Sequence, residues 1–139
     1  MLLTARTDGA SKGNPGPAAI GFIIEKDGVV LEEYCEYIGK TTNNIAEYTA
    51  FITSLNRMKK LGATDVTIYS DSELAVKQIN GIYKVKNKGL KPLHSEVIKF
   101  LEEFDSFKVI HVPREENSTA DRLANKAIKE YNTRKKNKL

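Results

Sequence analysis

The 139-residue chain contains one cysteine, two histidines and no tryptophan. A lone thiol, Cys35, excludes an internal disulfide framework and a thiolate zinc site, and it suits a reducing compartment. It reads instead as a small apolar strand residue. No apolar run approaches the ~20 residues needed to span a membrane, and the first residues lack the charged and apolar layers of a signal peptide. The expected location is therefore the cytosol, with no membrane partner. There is also no internal repeat and no strong excess of one charge. The net charge of +4 and pI near 9.1 favour polyanionic partners without establishing one. Much of that charge is local, in Arg134, Lys135, Lys136 and Lys138 near the end and in a second cluster at Lys84, Lys86, Lys88 and Lys91.

What remains is the composition of an ordinary globule, 40% hydrophobic and 29% charged, of a length that fits one domain with one core. The expected organisation is a single domain over residues 1–131 and a flexible basic tail over 132–139. Residues 2–7 read as a strand running into a turn at Asp8-Gly9. Residues 18–26 read as a second strand, and Asp27-Gly28 as a hairpin turn into a third strand near 29–38. Ile45, Tyr48, Ile52, Leu55 and Met58 recur at helical spacing, and Leu61-Gly62 supplies the stop. Then follow a strand at 66–69, helices at 73–78 and 93–104, a strand at 107–112 and a helix at 118–131. Strands first, then alternating helices and strands, predict an α/β fold. Its mixed five-stranded sheet would have three antiparallel strands, then parallel ones, with helices on both faces.

Four acids occupy prominent settings: Asp8 in Asp8-Gly9-Ala10-Ser11-Lys12-Gly13-Asn14-Pro15-Gly16-Pro17-Ala18, Glu47 after Thr42-Asn43-Asn44, Asp71 in Ser70-Asp71-Ser72, and Asp121 in Ala120-Asp121-Arg122-Leu123-Ala124. Each alone has a structural explanation. Asp8-Gly9 is turn chemistry. Glu47 lies three residues after Asn44 and Asp121 three after Ser118, the spacing of a capping box. Asp71 could cap the helix that follows it. Their placement points further. Asp8 and Asp71 end strands, Glu47 and Asp121 open helices, and these ends meet if the first and fourth strands are parallel neighbours. Four carboxylates at one edge would repel, and divalent cations would relieve that repulsion. With no His or Cys among them, the donor set suits Mg²⁺ or Mn²⁺. Two such ions can clamp the attacking and leaving oxygens of a phosphodiester.

In these motifs, and in their order from Asp8 to about Ala127, the chain resembles the ribonuclease H type 1 family, the stand-alone RNase HI enzymes. The resemblance implies the RNase H-like fold and endonucleolytic cleavage of the RNA strand of RNA/DNA hybrids, leaving 5′-phosphate and 3′-hydroxyl ends. It implies that Asp8, Glu47, Asp71 and Asp121 are catalytic and hold two Mg²⁺ ions, with Mn²⁺ as a substitute. Asn14 and Thr42 match positions that hold a phosphate of the DNA strand. Gly9, Ser11, Asn43 and Asn44 match positions that contact RNA 2′-hydroxyls, the groups that separate RNA from DNA in the minor groove. A monomer is expected, and double-stranded RNA stands as an additional substrate to test.

The chain departs from the better-studied bacterial pattern in three places. The loop Pro113-Arg114-Glu115-Glu116-Asn117 lacks the histidine associated with proton transfer or product release, leaving Arg114 and Glu115 as candidates for that role; His111 reads as a strand residue. Glu73 stands where the family often has Gln. The tryptophan-containing basic protrusion of some members is reduced to residues 83–91, where Tyr83 and the lysines could contact nucleic acid or form a solvated connector.

Two alternatives accompany this reading. A module that binds hybrid without cutting gains nothing from concentrated carboxylates. A resolvase, transposase core or detached reverse-transcriptase domain would share the broad fold, but not the minor-groove set of Asn14, Thr42, Asn43 and Asn44. The start methionine directly before the first strand favours a free-standing protein. A dinucleotide-binding loop is excluded because Pro15 and Pro17 break the helix start it requires.

Overall fold

The computed structural model describes residues 1–137. Five strands, β1 (Leu2–Ser11), β2 (Gly16–Lys26), β3 (Val29–Thr41), β4 (Asp65–Ser70) and β5 (Ser106–His111), form one sheet in the order β3-β2-β1-β4-β5. The first three are antiparallel neighbours, while β4 lies parallel to both β1 and β5. This is the mixed α/β sheet expected from the sequence. The turn between β2 and β3 takes two residues, Asp27 and Gly28, both at positive φ (51° and 78°), as a tight antiparallel hairpin requires.

Four helices cover the sheet: α1 (Asn43–Lys60), α2 (Glu73–Ile79), α3 (Lys91–Glu102) and α4 (Ser118–Asn137). On one face the larger core joins Leu3, Ala5, Ile20, Phe22, Ile24, Val66 and Ile68 of the strands to Tyr48, Phe51, Leu55 and Met58 of α1 and Val97 and Leu101 of α3. Each fully buried Leu, Ile, Val, Phe or Met side chain contributes about 1.5–3 kcal/mol. The other face has a thinner layer in which Ala127 and Ile128 of α4 meet Ala19, with Ala10 and Cys35 packed beside them. Cys35 is thus a strand residue in half-buried packing.

Most element ends fall within three residues of the sequence expectation, and two differ by more. Strand β1 continues through Asp8 to Ser11, so Asp8 is not in a turn; it pairs with Gly21 of β2. The extension is held at its tip, where the Ser11 hydroxyl donates to the Thr41 carbonyl at 2.9 Å and the Lys12 amide donates to the Pro17 carbonyl at 2.9 Å. The parallel ladder with β4 ends earlier, at Thr7 opposite Ser70, which leaves Asp8 just past the carboxyl end of its neighbour. Helix α4 runs to Asn137 instead of stopping at Tyr131. Residues 132–137 of the expected flexible tail are therefore helical; Lys138 and Leu139 lie outside the described residues. Asn132–Asn137 contains neither Gly nor Pro, and Arg134, Lys135 and Lys136 complement the negative end of the helix. Tyr131 also anchors the helix to β3, stacked on Tyr37 with ring centroids 3.7 Å apart.

Two glycines allow the helices to reach β1. A Cβ on Gly9 would stand 2.3 Å from the Ala46 carbonyl carbon and the Glu47 amide nitrogen, and one on Gly21 would stand 2.5 Å from the Ala120 oxygen and the Ala124 nitrogen. Gly9 follows Asp8 and Gly21 pairs with it, so α1 and α4 both make backbone contact within one residue of the same carboxylate.

Candidate active site

Each acid is delivered by a different element. Asp8 comes from β1, Glu47 from α1, Asp71 from the break between β4 and α2, and Asp121 from the first turn of α4. The capping roles considered for them fall to other residues. Thr42, not Asn44, caps α1, its hydroxyl accepting from the Ile45 amide at 3.3 Å. The helix consequently starts at Asn43, and Glu47 sits one turn in, buried, rather than in the first turn. Ser72, not Asp71, caps α2, accepting from the Ala75 amide at 3.3 Å, while the Ser70 hydroxyl accepts from the Ser72 amide at 3.1 Å. Ser118 is itself helical, following a 3-10 turn at Arg114–Asn117, and does not cap α4. The carboxylates of Glu47 and Asp71 are thus left available.

Carboxylate oxygens of Asp8, Glu47 and Asp71 lie within 4.8 Å of one another. Asp8 and Glu47 are only 5% and 4% exposed, so the charge is held out of water. Burial, reinforced by the Asp71 charge, pushes the Asp8 carboxyl up to about 8. Burial, then the charges of Asp8 and Asp71, likewise raises Glu47 well above the ordinary carboxylate range. Glu47 Oε2 is buried without a hydrogen-bond partner, which leaves a strong acceptor unused. An all-oxygen donor set with an unpartnered buried oxygen fits hard divalent cations. Asp8, Glu47 and Asp71 could hold such an ion, with Asp121 lining the same cavity.

These acids line a cavity of about 390 Å³. Of the other residues singled out in the sequence, Gly9, Ser11, Asn43 and Arg114 also line it, and Asn44 and Glu115 do not. Asn14 and Thr42 are not part of its lining, though each adjoins Asn43, which is. The Asn14 side-chain oxygen accepts from the Asn43 amide at 3.0 Å, tying the β1–β2 turn to the start of α1. Arg114 places a guanidinium nitrogen 3.7 Å from Asp121. His111 ends the edge strand β5, exposed and away from the cavity lining. Glu73 pairs with Lys77 at 2.6 Å, one helical turn along α2. Tyr83 lies against the same Lys77, whose ammonium is 5.1 Å from the ring centroid.

Four further residues, Asn117, Asn125, Lys12 and Ser72, take positions at the site that their sequence settings do not imply. Lys12, Ser72 and Asn125 line the cavity. Asn125 donates to the Asp121 carboxylate at 3.2 Å, an i to i+4 relation that the sequence does contain. Asn117 is 1% exposed, and its amide donates to the Thr7 carbonyl at 2.7 Å and to Asp71 Oδ1 at 3.3 Å. Those partners are 110 and 46 residues away, so no local pattern announces them.

Comparison with known proteins agrees with this geometry. Residues 6–127 match the family described as "Reverse transcriptase-like". The chain is 40% identical over 122 residues to a protein named "Ribonuclease HI" from Halobacterium salinarum, covering 87% of this chain and 61% of that protein. It therefore spans less than two thirds of that relative. It is 36% identical over 140 residues to a "Ribonuclease H" from Francisella tularensis subsp. novicida, covering 91% of this chain and 90% of the relative. The crystal structure of LC11-RNase H1 in complex with RNA/DNA hybrid superposes with a TM-score of 0.88 at 40% identity, covering 93% of this chain and 98% of that one.

Proposed function

Because the chain belongs to the ribonuclease H family, we propose that it is an endonuclease that hydrolyses the RNA strand of RNA/DNA hybrids, leaving 5′-phosphate and 3′-hydroxyl ends. The observation that carries the reading is the buried cluster of Asp8, Glu47 and Asp71, with oxygens within 4.8 Å, opening into a cavity rimmed by polar side chains. Such a cluster is unfavourable for the apo fold and useful only when cations neutralise it. Asp8, Glu47, Asp71 and Asp121 would hold two Mg²⁺ ions, with Mn²⁺ as substitute. Bound there, the ions would supply an activated water and charge neutralisation at the departing 3′-oxygen.

The chain's own residues orient the substrate. Gly9, Ser11 and Asn43 lie on the cavity wall, and Asn44 follows Asn43 on α1, a set of neutral donors and acceptors suited to 2′-hydroxyls. Asn14 uses its oxygen on the Asn43 amide, which leaves its NH₂ group for a phosphate beside the Thr42 hydroxyl. Arg114, next to Asp121, supplies a cation at the exit of the cavity, in the position left without a histidine. We place the action in the cytosol, by a monomer; no helix among the described residues is long and apolar enough to cross a membrane.

The test is cleavage of one end-labelled strand set, presented as RNA/DNA hybrid, double-stranded RNA, single-stranded RNA and double-stranded DNA, with Mg²⁺, Mn²⁺ or chelator. Metal-dependent cutting of RNA in the hybrid, abolished by Asp8→Asn, is the expected result. Cutting of double-stranded RNA as well would widen the substrate class. Hybrid left intact in both metals would overturn the assignment.

A further inference from the structure

We propose that the basic outer surface of α4 is a second contact for the substrate, carrying the phosphate backbone of the hybrid away from the acidic cavity. This rests on the hybrid-cleaving reading and extends its binding surface. The cavity does not end at Asp121: it shares Lys12 and Asn125 with an adjoining depression that adds Lys129 and Asn132. That depression shares Lys129 with a third, which reaches Lys126 and Arg134. Neighbouring hollows thus share lining residues, and they pass from the Asp121 side of α4, at Asn125 and Asn132, over its outer face at Lys129 to the far flank at Lys126 and Arg134.

The axis of α4 stays level with the sheet edge where the acids stand. The first turns of α4 pack at Gly21, which pairs with Asp8. The next turn, at Ala127 and Ile128, packs at Ala19, which pairs with Ala10, two residues nearer the end of β1. Tyr131 then stacks on Tyr37, the β3 partner of Ala19. The helix therefore crosses the sheet while keeping level with the end of β1 that carries Lys12, and its exposed outer face starts beside the acidic cavity.

Charge supplies the second argument. Residues 126–137 hold five basic side chains and one acid, a net of +4, equal to that of the whole chain. The acid, Glu130, is 3.9 Å from Lys126, and the remaining cations have no partner of that kind among the described ion pairs. From Asp121 to Arg134 the helix rises about 20 Å, the length of about six base pairs of duplex. A row of exposed lysines and arginine beside polar amides, on a helix braced by an aromatic stack, suits a phosphate backbone and offers no base-reading pattern.

The experiment compares wild type with Lys126→Gln/Lys129→Gln/Arg134→Gln, and with a control that removes equal charge elsewhere, Lys26→Gln/Lys60→Gln/Lys99→Gln. Circular dichroism and Tm confirm folding of each. Expected for the α4 variant are a KM for hybrid raised about tenfold or more near ~0.1 M salt, kcat within about twofold, and a salt dependence of log KM shallower by about two to three. The control should change KM far less. Unchanged KM and salt slope in the α4 variant, or an equal loss in the control, would overturn the proposal while leaving the enzyme assignment intact. If wild type cuts no hybrid, the enzyme assignment fails by itself. Anisotropy of a labelled hybrid in chelator then judges the surface, and equal binding by wild type and variant, including equal absence of binding, counts against it.

Discussion

The side-chain amide of Asn117 joins the two strands that carry the acids, donating to the Thr7 carbonyl at 2.7 Å on β1 and to Asp71 Oδ1 at 3.3 Å at the end of β4. Thr7 immediately precedes Asp8, so one buried side chain sets both carboxylates from behind. Asn117→Ala should lower metal affinity or kcat about 10–100-fold, the usual effect of losing a group that orients a ligand. It should also cost about 1–3 kcal/mol of stability by stranding the Thr7 carbonyl. Metal titration followed by Tm, with steady-state kinetics, checks both; wild-type metal affinity and kcat in a folded variant would reject the orienting role.

The raised carboxylates make metal-free stability depend on pH. In the folded state Asp8 keeps its proton up to about 8, whereas the unfolded chain loses it near ~4. Between those values the native state binds more protons, so stability falls as pH rises through that window, and Glu47 acts in the same direction. Asp8→Asn should therefore stabilise the apo protein at pH 8 by about 1 kcal/mol or more, at ~1.4 kcal/mol per pKa unit, and much less at pH 4. A Tm increase of roughly 4 °C per kcal/mol is expected. Mg²⁺ should raise the Tm of wild type at pH 8 but not that of the variant. A pH-independent difference in Tm would contradict the cause assigned to the shift.

Gly21 should not tolerate a side chain. Its added methyl would meet the Ala120 oxygen and Ala124 nitrogen at 2.5 Å, both backbone atoms of a helix that cannot yield locally. Gly21→Ala is expected to cost about 1–3 kcal/mol or more. It should reduce activity further, because the same displacement moves Asp121 away from Asp8. Gly28→Ala, where no atom lies within 4 Å, should leave activity unchanged and cost only the strain of a positive φ. Similar activities for the two variants would deny that close approach of α4 matters to the site.

Arg114 and Glu115 should separate in a pH–rate experiment. Arg114 lines the cavity beside Asp121, and Glu115 does not reach it. Arg114→Ala should lower kcat by about tenfold, a typical scale for loss of one positioned charged group, and Glu115→Gln should keep the wild-type profile. A changed profile in Glu115→Gln alone would reverse the assignment.

The elements with strong local signals were legible. Ile45 to Met58 repeats at helical spacing and buries Tyr48, Leu55 and Met58 as expected, and Asp27-Gly28 makes the two-residue turn its composition specifies. The ends of β1 and α4 were not legible in the same way. Asp8-Gly9 has turn chemistry, yet the ladder to β2 holds it extended, and the polar residues 132–137 stay helical beyond an aromatic stack made with a strand nearly 100 residues away. In both places a nonlocal partner outweighs local propensity.

For the site, the residue types and the order of their motifs were enough to single out four acids as candidates. The sequence also carried the order of the elements that deliver those acids, though not that β1 runs past Asp8 or that Glu47 falls one turn into α1. How the acids meet depends on long-range packing. Thr42 and Ser72 take the caps, Gly9 and Gly21 admit two helices to β1, and Asn117 bridges strands from the far end of the chain. Such relations depend on backbone approach and on hydrogen bonds between residues 46 to 110 positions apart, and neither leaves a periodic trace in the chain.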